Sequence, residues 1–222
     1  MICKTDEYTN HTGGAYGVDT YGCIIGMEYG FNNHNHYRPY DNIRLSKKLR
    51  DKGLKPVILD EYSIKQNRHR VNNILGKNYQ DNIAGNLQAR NYHQVANSYT
   101  VYCFSKKISD TAISGGTNTA LQLAIELGNE AYVFDVTTFE WWRYDMEQWK
   151  LIPCEPTVLD KQYAIVGTRD VEDYHVKDKR TGLWGSRPQY LGKEAENRVK
   201  KAIAKLYEDT LKLIEDNYDQ TN

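Results

Sequence analysis

Residues 7–30 read EYTNHTGGAYGVDTYGCIIGMEYG. Glu7–His11 reads as a short strand that runs directly into Thr12-Gly13-Gly14. From Asp19 to about Tyr29 the chain carries Ile24, Ile25, Met27 and Glu28 and then meets Gly30, the pattern of a helix with a glycine stop. Glycines between strand and helix permit positive φ and a close backbone approach. The helix start then offers unpaired N–H groups and a positive dipole end to an anion. Asp19 suits two roles, capping the helix or accepting a hydrogen bond from a ribose hydroxyl. Without any ligand, the same residues also make a tight strand-to-helix turn.

Outward from this unit the rhythm repeats. Strands are expected at Asn33–Tyr37, Tyr99–Phe104, Ala131–Val136 and Gln162–Val166. Short apolar runs without polar alternation suit strands covered on both faces. Thr119–Leu127 and Lys193–Tyr218 carry apolar residues at helical spacing. The fold class expected is α/β: a Rossmann-like, doubly wound, mostly parallel sheet with helices on both faces, in a single domain over 1–222. Two stretches depart from the rhythm. Residues 41–90, rich in Asn, Lys and Arg, read as a helical insertion over the sheet edge. Residues 139–152, FEWWRYDMEQWKLI, read as an aromatic β-hairpin or a lid. Residues 172–191, with Gly182, Gly185 and Pro188, read as an irregular loop.

Two further turns carry small residues. Ser114-Gly115-Gly116-Thr117-Asn118-Thr119 opens a helix, and Gly167-Thr168-Arg169 follows the last expected strand. Glycine turns at the C-terminal ends of parallel strands can face one crevice, where open α/β sheets bind ligands. The candidate ligand-binding residues are therefore Thr12, Gly13, Gly14, Ala15, Asp19, Ser114, Gly115, Gly116, Thr117, Asn118, Thr119, Gly167, Thr168 and Arg169. Arg90 and Asn91 join them as the start of a segment leading into the third strand. Arg169 suits bidentate phosphate pairing; its plain alternative is a surface ion pair with Asp170 or Glu172. Trp141, Trp142 and the Tyr residues are candidates for stacking on a base. His34 and His36 would share one strand face, but no metal-ligand pattern surrounds them, so no metal and no cofactor are expected. His11 is expected to line or prop the first glycine turn.

Composition excludes other classes. The 222 residues (25.7 kDa) carry 29 basic and 29 acidic side chains, which rules out a uniformly basic nucleic-acid coat. Tyr contributes 18 residues, a type suited to half-buried walls and wet pockets. No apolar stretch reaches the roughly 20 residues of a membrane span. The opening MICKTDEYTN lacks a signal-peptide pattern, and four scattered cysteines form no C-x-x-C pair. A cytoplasmic protein with reduced thiols is expected.

HTGGAYGVDT resembles the SGGARGID-type loop of the DNA-processing protein A (Smf-like) family, within the SLOG superfamily of Rossmann-like nucleotide-binding domains. His36-Tyr37-Arg38-Pro39, Arg90-Asn91 and Ser114-Gly115-Gly116-Thr117 follow in the family's order. Ala164-Ile165-Val166-Gly167-Thr168-Arg169 is similar to the I-V-G-S-R strand that normally opens such a domain. Its late position implies circular permutation, with 162–218 supplying the usual first strand and helix. The resemblance implies a binder of a nucleotide or nucleotide-derived small molecule, a sensor or sequestering protein of the sort that acts in phage–host conflict, and self-association into a homo-oligomer. The LOG branch of the superfamily cleaves nucleotides at the N-glycosidic bond through P-G-G-x-G-T-x-x-E. Here Asn118 replaces the third Gly and Gln122 the Glu, so a hydrolase would need Asp19 or Glu126 as its catalytic carboxylate. A third expectation is single-stranded DNA binding through the basic residues of 44–70; Asp51, Asp60 and Glu61 interrupt that run, so a solvated insertion accounts for it better.

Overall fold

A computed structural model describes residues 4–155, 157–177, 182–186 and 189–219, without the side chains of 176, 177, 186 and 219. Cys3 and Pro188, which entered the sequence reading, lie outside them. A 3-10 turn at Lys4–Glu7 leads to β1 (Thr9–Thr12), α1 (Val18–Glu28), β2 (Asn33–Pro39), α2 (Lys47–Asp51), β3 (Val57–Leu59), α3 (Glu61–Leu75) and α4 (Ile83–Ala96). Then come β4 (Thr100–Ser105), α5 (Thr117–Leu127), β5 (Glu130–Asp135), β6 (Trp141–Asp145), β7 (Lys150–Pro153), β8 (Gln162–Gly167), β9 (His175–Lys177), β10 (Trp184–Ser186) and α6 (Lys193–Asp219).

One sheet runs in the order β3-β2-β1-β8-β4-β5-β6-β7. The first six are parallel, and β6 and β7 close one side as an antiparallel hairpin. The fold is thus the doubly wound α/β class. Strand β8, late in the chain, sits centrally between β1 and β4.

Alternation along the strands divides the core by side-chain shape. Tyr102, Phe104, Tyr132, Phe134, Tyr163 and Ile165 point to one face, under α1 and α6. Val101, Cys103, Ala131, Val133, Ala164 and Val166 point to the other, under α3, α4 and α5. Many tyrosines are therefore core residues rather than wet walls, a correction to the compositional reading. Tyr102, Tyr163 and Tyr207 are fully buried. Their hydroxyls are satisfied by Val158 O (2.7 Å), Tyr207 Oη (3.1 Å) and Gly22 O (2.7 Å) respectively, as buried polar groups require.

Three further expectations change. The first strand starts two residues late, because Lys4–Glu7 forms a 3-10 turn. The 41–90 stretch extends the sheet, since its β3 pairs in parallel with β2; α4 overruns the expected boundary and belongs to the return crossover to β4. Within 172–191, the described residues form a small β9–β10 hairpin instead of an irregular loop. The aromatic hairpin is present, and it widens the sheet rather than forming a lid.

Candidate functional site

Strands β1, β8 and β4 are parallel neighbours, so the turns that follow them share one rim. The β1 and β8 turns touch: the Val18 N–H donates to Thr168 O (3.4 Å), and the Thr168 N–H reaches Phe104 O on β4 (2.9 Å). Helix α4 links the other pair. Arg90 packs its guanidinium against Gly13, where a Cβ would lie 1.2 Å from Nη1. On the adjacent residue, the Asn91 amide donates to Gly116 O (3.4 Å).

The first glycine turn is closed from within. The Gly13 and Ala15 N–H groups donate to Asp19 Oδ2 (3.1 and 3.5 Å), and the Gly167 N–H donates to Asp19 Oδ1 (3.4 Å). The Gly14 N–H reaches Thr12 Oγ1 at 3.4 Å. The Gly17 N–H donates to Glu172 Oε2, and Lys48 Nζ lies 2.6 Å from Glu172 Oε1. Two carboxylates thus stand where an anionic ligand was expected. Asp19 is only 4 % exposed and Glu172 2 %. Gly17, at φ 79°, lies against the β8 turn, where an added Cβ would come within 2.5 Å of Thr168 O.

Charge at the rim is unevenly matched. Arg90 Nη1 lies 3.7 Å from Asp19 Oδ2 and donates to Gln94 Oε1 (2.7 Å), while its buried Nε has no partner. Arg38, at the end of β2, donates to Gly13 O (3.1 Å) and to both Asn42 oxygens. Burial and then the charges of Arg90 and Arg169 pull Arg38 down to about 10, against the pull of Asp19. Burial raises the Asp19 carboxyl and lowers the Arg90 guanidinium, and each charge opposes the other's shift. Because guanidinium keeps its proton at neutral pH, and three N–H groups hold the carboxylate, the pair is ionic. Arg169 is exposed and has no carboxylate partner among the described residues; Glu172, one of its expected partners, belongs to Lys48.

The second turn remains open. Among the described residues, the N–H groups of Gly115, Gly116 and Thr117 meet no acceptor, and Gly115 (φ 70°) and Gly116 are exposed. The rest of the turn is structural. Asn118 Oδ1 accepts from the Ile113 N–H (3.0 Å), Thr119 Oγ1 meets Tyr79 Oη (3.2 Å), and Ser114 O accepts from Ser105 Oγ (2.9 Å).

Several candidates fall away. Asp19 is enclosed, with both oxygens engaged, so it is not placed to touch a substrate. Glu126 is exposed on the last turn of α5, roughly 13 Å along the helix from Thr117. Neither serves the glycosidic-cleavage chemistry. Trp141 packs on the aromatic core face and Trp142 lies against Lys107 Nζ (4.2 Å), on a strand roughly 14 Å from β8; neither flanks the turns. His11 lies in β1 and bonds Tyr37 Oη (3.0 Å) and Gln162 Oε1 (2.8 Å), away from the turn it was expected to prop. Much of the basic run is engaged: Lys47 with Asp51, Lys48 with Glu172, and Arg68 with Asp81.

Arg38, Lys48, Glu172 and the Tyr16–Tyr174 ring stack (4.3 Å) were not in the expected set. Arg38 was detectable, since it ends a strand next to a glycine-tipped one. Glu172 was expected only as a surface partner of Arg169; its role at Gly17 gave no signal, because the two are 155 residues apart. No family model matches the chain, and no curated protein or solved structure is significantly similar to it. Among the described residues, no helix is long and apolar enough to cross a membrane.

Proposed function

We propose that this protein binds a nucleotide or nucleotide-derived small molecule at the C-terminal rim of β1, β8 and β4, as a sensor or sequestering protein. One observation carries the reading: Arg38, Arg90 and Arg169 stand close enough for their charges to act on one another, and the carboxylates that oppose them at Arg38, Asp19 and Asp41, are fewer. An excess of positive charge in a partly buried rim attracts a phosphate. Arg169 supplies a guanidinium fork that no carboxylate among the described residues engages, and the open Gly115–Thr117 amides supply oriented donors. The half-buried Tyr16–Tyr174 stack, on the loops that follow β1 and β8, supplies aromatic rings of the kind that pack against a base. Gly13–Gly17 acts as scaffold here, held shut by the protein's own carboxylates.

Calorimetric titration with AMP, ADP and adenosine tests this. The phosphorylated ligands are expected to bind at least about tenfold more tightly than adenosine, and Arg169→Ala is expected to lose about that factor. Equal binding of adenosine, or no binding of any of the three at millimolar concentration, overturns the reading. Self-association, which the resemblance implies, is read by sedimentation on the same sample.

A further inference from the structure

On the side of α1 turned toward β2 and α2, a thiol has a thioether sulfur and an imidazole nitrogen as neighbours among apolar side chains. Cys23 Sγ lies 3.6 Å from His36 Nε2 and 4.0 Å from Met27 Sδ. Cys23 and Met27 are one helical turn apart on α1, hence on one face; His36 comes from β2. Cys23 and His36 are almost fully buried, Leu45 and Leu49 close the pocket, and the partly buried Ile24, Met27 and Leu54 form its outer wall. Among the described residues His36 Nδ1 meets no hydrogen-bond partner, so none obliges Nε2 to carry the ring's proton.

We propose that Cys23, His36 and Met27 form a binding site for a monovalent soft metal ion, copper(I). A d10 ion held at metal–sulfur distances near ~2.3 Å and metal–nitrogen distances near ~2.0 Å sets its ligand atoms about 3.6–4.0 Å apart in trigonal or tetrahedral geometry. The two separations observed fall in that window before any metal is added. Thiolate and thioether sulfur select copper(I) among the common ions. Charge makes the same selection. One thiolate and one monovalent cation make a neutral centre, whereas a divalent ion would leave a net positive charge in an apolar pocket, which is costly. Binding replaces the thiol proton, which leaves to solvent, and the metal does not change oxidation state. Among the described residues, no three His, Cys, Asp or Glu side chains converge, so the thioether is what completes the donor set. The site is independent of the nucleotide reading: it uses none of the rim cations, and Leu45 and His36 separate it from Gly14 of the first glycine turn.

The experiment is anaerobic transfer of copper(I) from its bicinchoninate complex to the purified full chain, with zinc(II) titrated in parallel. One equivalent of copper is expected to transfer. Transfer should be lost in Cys23→Ser and weakened roughly tenfold or more in Met27→Leu, which keeps the side-chain volume while removing the sulfur. X-ray absorption of the loaded wild-type protein should show two sulfur scatterers and one nitrogen, a readout that does not depend on the variants folding. Unchanged copper uptake by Cys23→Ser would place the metal on another thiol and overturn the proposal. So would zinc binding as tight as copper, no effect of Met27→Leu, or an all-sulfur coordination shell.

Discussion

Asp19 and Glu172 show how a residue's role depends on what reaches it. Asp19 was legible as a residue that matters to the glycine turn, with two roles open, and the structure assigns it to neither a ribose nor a reaction. It accepts from three backbone N–H groups and neutralises a buried arginine. Asp19→Ala should therefore destabilise the fold by about 3–5 kcal/mol, because Arg90 is left as an uncompensated buried charge; the urea midpoint measures this. Glu196 near the start of α6 was not legible at all. Burial pushes its carboxyl up, but hydrogen bonds from Lys200, Lys193, Tyr21 and Tyr190 outweigh that and hold it down at about 2. A depressed carboxylate stabilises the fold above its ordinary value of 4.5, and that contribution disappears as pH falls from there toward about 2. With Lys193 largely in solvent, screening reduces the contribution to about 1–2 kcal/mol. Glu196→Gln should lower stability by that amount at neutral pH and flatten the acid limb of the stability curve between those two values.

At the scale of elements, helix α1 shows what periodicity conveys and what it omits. Its apolar spacing and glycine stop identified it as a helix, but two internal glycines, Gly22 and Gly26, were silent in that pattern. Gly26 is where α6 crosses closely: a Cβ there would lie 2.7 Å from the Tyr207 ring and 2.9 Å from His34 Cε1. Gly22 meets Ile165 of β8 at 2.9 Å in the same sense. Gly26→Ala gains helix propensity yet should cost about 1–3 kcal/mol, because rigid rings cannot yield as a flexible chain end does. Thermal unfolding is expected to shift down by several degrees; an unchanged midpoint would show that the two helices pack less closely than the distances say. The strands were easier to read, since β4 is buried at all six positions and its sequence is uniformly apolar or small. Strand β3 escaped notice because it is three residues long with two of them exposed.

For the whole molecule, the instructive feature is that the central strand comes late in the chain. Strand β8 fills the gap between β1 and β4, and α6 returns along the aromatic face so that Tyr218 lies under Lys4 Nζ (4.1 Å from the ring centroid). The first and last described elements are therefore adjacent, while the loop from β7 to β8 runs back over the aromatic face, where Leu159 is buried and Val158 O accepts from Tyr102 Oη. Joining the ends through a short linker and reopening the chain at residues 155–157 should yield a protein with the same far-UV dichroism and one cooperative unfolding transition. A molten or aggregated product would show that the order of synthesis, not only the set of contacts, is needed to fill the sheet's centre.

The amino-acid sequence by itself determined the class of fold and the location of three small-residue turns, because apolar period and glycine placement act over a few neighbouring residues. Only the tertiary structure decided which turn is open. Whether an amide is free depends on a carboxylate that can arrive from over a hundred residues away, as Glu172 does at Gly17, and local pattern carries no record of that distance. The gathering of Arg38 and Arg90 around Asp19 has the same origin: it is set by strand order and the α4 crossover, which bring distant residues within reach of one carboxylate.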